Sequence, residues 1–383
     1  MSLISRGPAP TAETSPVMGE VLGKQIKNCS YADWERKVIE YPDEDYAKYR
    51  DRAINHNGPY GVFPMTEQEQ KEERDYNWAM VAKFTKSIFT MNFTQFSFPV
   101  FYSEPRSFLE RTADLFTFLA QKYIPQANAA TDSNERLLNI ATGIAAGFHL
   151  YMACKKPWNP VLGETYVGTY ENGAKIYGEQ TSHHPPVSDF EIIGPNDEWY
   201  CHGHCKFTIA SGMREVDINQ TGIFHLKLKD GTEYQWEFPM IQVWGIVYGD
   251  RIIGIKGPVE IKEFKDGKET GLVCKLDTSS KKNTVITATI TQNGSAVPAK
   301  LDGDYCKEIK QGDKVLWDIK QTIVKRPLGD ANEDELLLSD CRFRIDRSLL
   351  IQKNLDEADK GKVIIEESQR REEKLRVCIP APQ

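Results

Sequence analysis

From Val161 to about Ile323 the chain alternates apolar and polar positions in short runs broken by turn residues: "TYVGTY", "AKIYGE", "SDFEII", "EWYCHGHCKFTI", "GIFHLKLKDGTEYQWEF", "RIIGIKG", "GLVCKL", "NTVITATITQNG" and "KVLWDIKQTIV". A period of two is that of a strand with one buried face. Asp-Gly in "KDGTEY" and Asn-Gly in "QNGS" supply the positive φ of tight hairpins. About ten strands at this spacing predict a large antiparallel sheet that curls or closes into a barrel, over about 160–325.

Other stretches carry a helical period. "NWAMVAKFTKSIF" sets Trp78, Val81, Ala82, Thr85, Ile88 and Phe89 near one face. "TMNFTQFSFPVFYSEP" follows, with Phe93, Phe96 and Phe98 in an aromatic run that ends in a predicted turn at Glu104-Pro105. Core packing is the ordinary reading of such a stretch, and a mobile lid is the other. "SFLERTADLFTFLAQKY" and "ERLLNIATGIAAGFHLYMACKK" predict a small helical layer, the second rich in Ala and Gly so that neighbours approach closely. From Asp346 a charged helical tail is expected, interrupted at Gly361. The polar residues 1–76, with Pro8, Pro10, Pro16 and Pro42, read as a lead-in arm without its own core. No repeat of 20 to 50 residues is evident, which excludes solenoids and propellers.

Composition adds limits. Over 383 residues, 40% hydrophobic and 27% charged positions suit a folded globular protein. The net charge of -7 argues against nucleic acid and against whole-surface attraction to anionic membranes. No apolar run is long enough to span a bilayer and the N-terminus lacks a secretory layout, so a cytoplasmic location is expected. Eight scattered cysteines suit free thiols in a reducing compartment. In "CHGHC", strand alternation sends Cys201 and Cys205 to one face and His202 and His204 to the other, so no metal site is expected. A monomer without cofactor is expected.

Three constellations could carry chemistry. In "KKPWNPVLGETY", Pro157 and Pro160 push Lys156 and Asn159 out of the helical region and stiffen a corner, which alone reads as a structural connector. In "YGEQTSHHPPVSDF", Pro185 and Pro186 force the chain out of the sheet, and that turn lets His183 and His184 face one ligand. A metal would want further ligands, and nucleophilic catalysis an activated Ser or Cys; no G-x-S-x-G elbow is present. A hydrolase using either histidine as base therefore lacks a partnered nucleophile. In the tail, Lys362, Glu366 and Arg370 at i, i+4 and i+8 share one helix face, where Glu366 can extend both cations toward one anion; a solvated charge ladder is the plain alternative. Together they ask for an anionic phosphate at the mouth of a barrel.

"EQTSHHPP", Glu179 to Pro186, resembles the signature of the oxysterol-binding-protein-related lipid-binding domain at every fixed position. "KPWNPVLGE", "EPRSFLERTADL" and the tail "EESQRREEKLR" are similar to the same family, so the resemblance runs from about Trp78 to Arg376 as a short, single-domain member. It implies an α+β fold: a large near-complete antiparallel β-barrel enclosing a lipid tunnel, with a lid at 77–103, a helical layer at 104–156 and a C-terminal helical region at about 326–383. The lid would place Trp78, Val81, Ile88, Phe93, Phe96 and Phe98 on the tunnel. The resemblance also implies a carrier, not an enzyme, that exchanges phosphatidylinositol 4-phosphate for a sterol or phosphatidylserine between membranes it touches transiently. Lys156 and Asn159 would then bind the inositol headgroup, His183 and His184 its 4-phosphate, and Lys362 and Arg370 the headgroup from the tail, with Glu366 orienting them. The basic strand residue that contacts phosphate in some relatives has no clean counterpart here: "GHCKFTIASG" offers Lys206 without aligning there, and the resemblance assigns Lys206 no role. A lipid sensor that recruits partners without transport is the rival reading.

Overall fold

A computed structural model describes residues 99–151, 155–183, 185–211, 215–244, 252–278, 284–320, 327–329 and 336–377, with six helical positions between 67 and 75. The lid residues Trp78, Val81, Ile88, Phe93, Phe96 and Phe98, most of the arm, and His184 lie outside the described residues.

The chain runs through β1 (Ser103–Ser107), α1 (Phe108–Leu115), a π-helical turn at Leu119–Tyr123, α2 (Ile124–Ala129), α3 (Ser133–Gly147) and β2 (Lys156–Trp158). The sheet follows with β3 (Thr165–Thr169), β4 (Lys175–His183), β5 (Pro186–Ile193), β6 (Trp199–Ser211), β7 (Glu215–Thr221) and β8 (Ile223–Leu228). It continues through β9 (Glu233–Glu237), β10 (Met240–Trp244), β11 (Ile252–Lys256), β12 (Val259–Lys265) and β13 (Lys268–Asp277). It ends with β14 (Val285–Gln292), β15 (Ser295–Asp304), β16 (Glu308–Gln311), β17 (Lys314–Asp318) and β18 (Leu328–Gly329). The tail is α4 (Ile345–Ile351) and α5 (Leu355–Val377).

Helix starts follow their capping chemistry. Ser107 and Glu110 form a reciprocal capping box at α1, and the Asp132 carboxylate accepts from Asn134 and Glu135 at the start of α3. The expected single helix across 107–123 is broken. Pro125 has no N–H to close an α-turn onto Gln121, and the chain widens into the π-turn just before it. The expected turn at Glu104-Pro105 is instead strand β1, which pairs in parallel with β2 through Ser103 and Lys156, and Ser107 and Trp158. The helix across Gly361 is likewise unbroken: a Cβ there would lie 3.1 Å from Ile345 Cγ2, so the glycine serves the close approach of α5 to α4.

The large sheet has the order β17-β16-β15-β14-β13-β12-β9-β8-β6-β5-β4-β3-β18, and all its pairings are antiparallel. Among the described residues the order is an open path, without pairing between β17 and β18. Three strand pairs are bent at one level. The thirteen-residue β6 pairs first with β8 and then with β7, and Gly222 joins these two at φ 137°. Next to them β9 and β10 are separated by Phe238-Pro239, and β11 and β12 by Gly257-Pro258. The bends keep their backbone groups satisfied: Gln220 Nε2 donates to Pro239 O at 2.9 Å and Thr278 Oγ1 to Gly257 O at 2.6 Å.

The sheet curls around the helical layer. Phe116 lies 5.3 Å from Phe224 on β8, whereas Phe118, two residues on, lies 6.0 Å from Trp317 on β17 at the far edge. α3 is buried almost all round from Leu137 to Gly147, as a helix enclosed by other elements must be. Along β6, Cys201, Gly203 and Cys205 are buried and His202 and His204 are exposed, the alternation that keeps "CHGHC" from converging.

Candidate functional site

Two hairpin-like features meet at one end of the sheet. After β2 the chain turns through Asn159 and Pro160, and Gly163 N–H then donates to Gln180 O at 2.8 Å while Gln180 N–H donates to Glu164 O at 2.9 Å. This joins the Lys156–Glu164 corner to β4 three residues before His183. Lys156 Nζ donates to Asn159 Oδ1 at 3.0 Å, so the two residues act as one unit on the corner, with Asn159 exposed.

Behind the corner lies a buried ionic framework. Glu164 accepts from Ser107 Oγ at 2.7 Å, from Val161 N–H at 3.0 Å and from Arg344 Nη1 at 2.8 Å. Burial raises its carboxyl pKa, against the pull of Arg344. Arg344 Nη1 also donates to Asn159 O at 2.8 Å, and its Nε and Nη2 hold the two oxygens of Asp346 at 3.0 and 2.7 Å. A proline-stiffened corner is thus fixed from below by charge-assisted hydrogen bonds.

The tail helix completes this side. Asp359 accepts from Val100 N–H at 3.0 Å, and Ala358 is buried with Val100, Trp158 and Leu350, which seats α5 beside the corner. One turn on, Lys362 Nζ lies 3.2 Å from Glu366 Oε1, and Arg370 Nη2 lies 3.4 Å from Glu366 Oε2. The Lys362 side chain is 14% exposed and that of Arg370 61% exposed. Burial and the like charges of Lys362 and Arg344 push the Lys156 ammonium down to about 8, against the opposing pull of Glu366. Lys156 and Lys362 therefore share one field, which Glu366 offsets. An entering anion would raise the Lys156 pKa and relieve the repulsion.

β4 and β5 form the other side. A bulge at Thr181 lies between the pairs Gln180–Ser188 and Ser182–Val187, and His183 pairs with Pro186 to flank the turn. Ser182 Oγ donates to Pro185 O at 2.7 Å, across the turn, and Gln180 Nε2 donates to Ser182 O at 2.7 Å, so the turn is pinned from the β4 side. His183 is half-buried. Lys206 pairs with Val187 and is exposed in register with Ser182, so strand alternation puts it on the face opposite His183.

The structure thus brings Lys156, Asn159, Lys362 and Glu366 together, sets Arg370 at the exposed end of the same ladder, and carries His183 to the same end of the sheet. Arg344 was not singled out from the sequence. Its signal is the alternation of charge in "RFRIDR" within an otherwise apolar segment.

The sequence model of the oxysterol-binding protein family matches residues 80–380. Oxysterol-binding protein 9 of Dictyostelium discoideum is 25% identical over 355 residues, covering 85% of this chain and 81% of that protein. Oxysterol-binding protein-related protein 1 of Mus musculus is 33% identical over 182 residues, 46% of this chain and 19% of that protein. Among solved structures, the Osh3 ORD of Saccharomyces cerevisiae in complex with PI(4)P matches with a TM-score of 0.63 at 19% identity, over 79% of this chain and 85% of that one. The Osh1 ORD domain in complex with ergosterol matches with a TM-score of 0.65 at 22% identity, over 76% and 78%. These likenesses show a shared fold of large antiparallel sheet and packed helices, and the span of the family match shows that the chain belongs to the oxysterol-binding protein family.

Proposed function

We propose that this protein binds and transfers lipids, holding phosphatidylinositol 4-phosphate by its headgroup and exchanging it for a sterol or phosphatidylserine. The observation that carries this reading is the meeting of Lys156 and Lys362, from a proline-fixed corner and a tail helix, around Glu366. Preorganised cations with a depressed ammonium pKa suit a multiply charged phosphate better than a neutral headgroup. Asn159 adds a polar contact from the corner, His183 and His184 contact the 4-phosphate from the β4–β5 turn, and Arg370 from the end of the ladder. PI(4)P bound to the Osh3 relative and ergosterol bound to the Osh1 relative favour the same pair of cargo classes.

In this reading residues 77–103 form a lid over a tunnel, 1–76 an arm, and the protein acts as a cytoplasmic monomer that touches membranes transiently. No helix of the described residues is long and apolar enough to cross a membrane. Carriage needs no chemical step, so no catalytic residue is assigned. The test is transfer between two liposome populations, one carrying phosphatidylinositol 4-phosphate and the other the sterol or phosphatidylserine, with wild type and Lys156→Ala. Transfer by wild type and its loss in the variant are expected. Binding without transfer by wild type would favour a sensor instead, and turnover of the lipid an enzyme.

A further inference from the structure

We propose that Arg344 is a positioning residue for the phosphate site, fixing the Asn159 backbone from below and setting the charge felt by the Lys156 ammonium, without being a contact of the ligand. The inference rests on the headgroup reading above. The Arg344 side chain is 8% exposed and its donors are directed at the protein: Nη1 at Asn159 O and Glu164, Nε and Nη2 at Asp346. The Trp158 ring, 5.3 Å from its Cζ, closes one side. Two carboxylates would suffice to compensate a buried guanidinium. The third acceptor has a different meaning: Asn159 O lies beyond the end of β2 and before Pro160, where no ladder N–H is at hand, and Arg344 fixes it directly.

The second link is electrostatic. Among the groups acting on Lys156 are Lys362 and Glu366 from α5, Arg344 from the approach to α4, and the Asn159 amide oxygen on the corner itself. Arg344 and Lys362 both disfavour the ammonium, and Glu366 favours it. Arg344 thereby holds a lysine whose charge is completed by an arriving dianion, a phosphate monoester, better than by the single charge of a phosphodiester.

Two substitutions separate the links. Arg344→Lys keeps the charge near Lys156, but one ammonium cannot reproduce the planar fork that holds Asn159 O and both carboxylates. Arg344→Gln removes charge and fork together. The measurements are the affinity for dioctanoyl phosphatidylinositol 4-phosphate, with dioctanoyl phosphatidylinositol as the monoester-free control, and the Lys156 titration followed by NMR in ligand-free protein. At pH 7 both variants should bind the monoester about tenfold more weakly because the Asn159 corner is no longer held, and the control, which lacks the dianion, should lose less. The Lys156 titration should stay near about 8 in wild type and Arg344→Lys, and move upward in Arg344→Gln. A wild type that ignores the probe would sink the headgroup reading while leaving the titration to decide the coupling. Unchanged affinity in folded variants, a Lys156 titration indifferent to Arg344→Gln, or failure of both variants to fold would each overturn the positioning role.

Discussion

Arg347 donates from Nε and Nη2 to the two carboxylate oxygens of Glu110, at 3.0 and 2.7 Å, across 237 residues of chain. Both side chains are fully buried, so this bidentate pair is what locks α4, and the corner behind it, onto α1. Removing one partner leaves the other charge stranded in a low-dielectric interior, and Glu110→Ala should lower unfolding stability by about 3–5 kcal/mol in urea titrations. Burial pushes the Glu110 carboxyl up, but Arg347 and Arg106 outweigh it and hold the group at about 2. A folded-state value below the ordinary 4.5 stabilises fully above that pH and ceases to as pH falls toward 2. The gap between wild type and variant should therefore narrow across that window, and a gap independent of pH would show that the charge contributes nothing.

Lys362→Glu places a second carboxylate beside Glu366 and reverses the field at Lys156. Affinity for phosphatidylinositol 4-phosphate should fall by about a hundredfold or more, the range for losing one member of a desolvated charge pair. A sterol carries no phosphate and should bind the variant as before. Equal losses for both lipids in a binding titration would point to general damage of α5 instead. Arg370→Glu should act in the same direction but less, because that side chain is largely exposed and screened.

His183→Ala with His184→Ala tests the turn. His183 closes the last pair of β4 at the sheet end and is only half-buried, so thermal unfolding should shift by no more than about 1 kcal/mol equivalent. Phosphoinositide affinity should drop while the sterol is retained. A double variant with normal unfolding and wild-type affinity would remove both histidines from the site.

Much of this was legible in the sequence, for reasons of period and punctuation. β14 and β6 alternate buried and exposed positions because each presents one face to the helical layer, and a two-residue period encodes that directly. The Lys156 corner and the Lys362-Glu366-Arg370 ladder were readable because proline stiffness and helical spacing are local properties. What was not readable depends on distant partners. Propensity assigns Gly361 to a helix break, and only the approach of Ile345 and Asp346 from α4 makes it an interior contact. The parallel pair of β1 and β2 joins Ser103 to Lys156, and Arg344 acquires its role from Asn159 and Glu164, 185 and 180 residues away. Lys206 is a simple alternation result once its register with Val187 is known, and that register has no local signal.

The bend in the sheet makes a prediction about the barrel wall. At Gly222, φ is 137° and an added Cβ would lie 2.0 Å from His204 O. No flexible side chain can yield there, because the obstacle is backbone on the neighbouring strand. Gly222→Ala should therefore destabilise the fold by more than about 3 kcal/mol through strain and clash, visible as a lowered urea midpoint. An unchanged midpoint would mean that β7 and β8 can join without this bend.

The final prediction concerns enclosure, and it separates touching a lipid from carrying it. If Asn77 to Phe89 covers the tunnel, a protein lacking residues 1–89 keeps every cation of the headgroup site but leaves the apolar body of its cargo partly wet. The remainder should still fold, because Val100 is buried with Trp158, Leu350 and Ala358, and its N–H is held by Asp359 at 3.0 Å. Each methylene left in water forfeits about 0.8 kcal/mol of burial, so a handful of them offsets the advantage of leaving a bilayer. Headgroup binding should persist in the truncated protein while exchange between liposomes collapses. Measured at equal protein concentration, with folding checked by circular dichroism, unchanged transfer would show that the amphipathic stretch lies elsewhere than over the cargo.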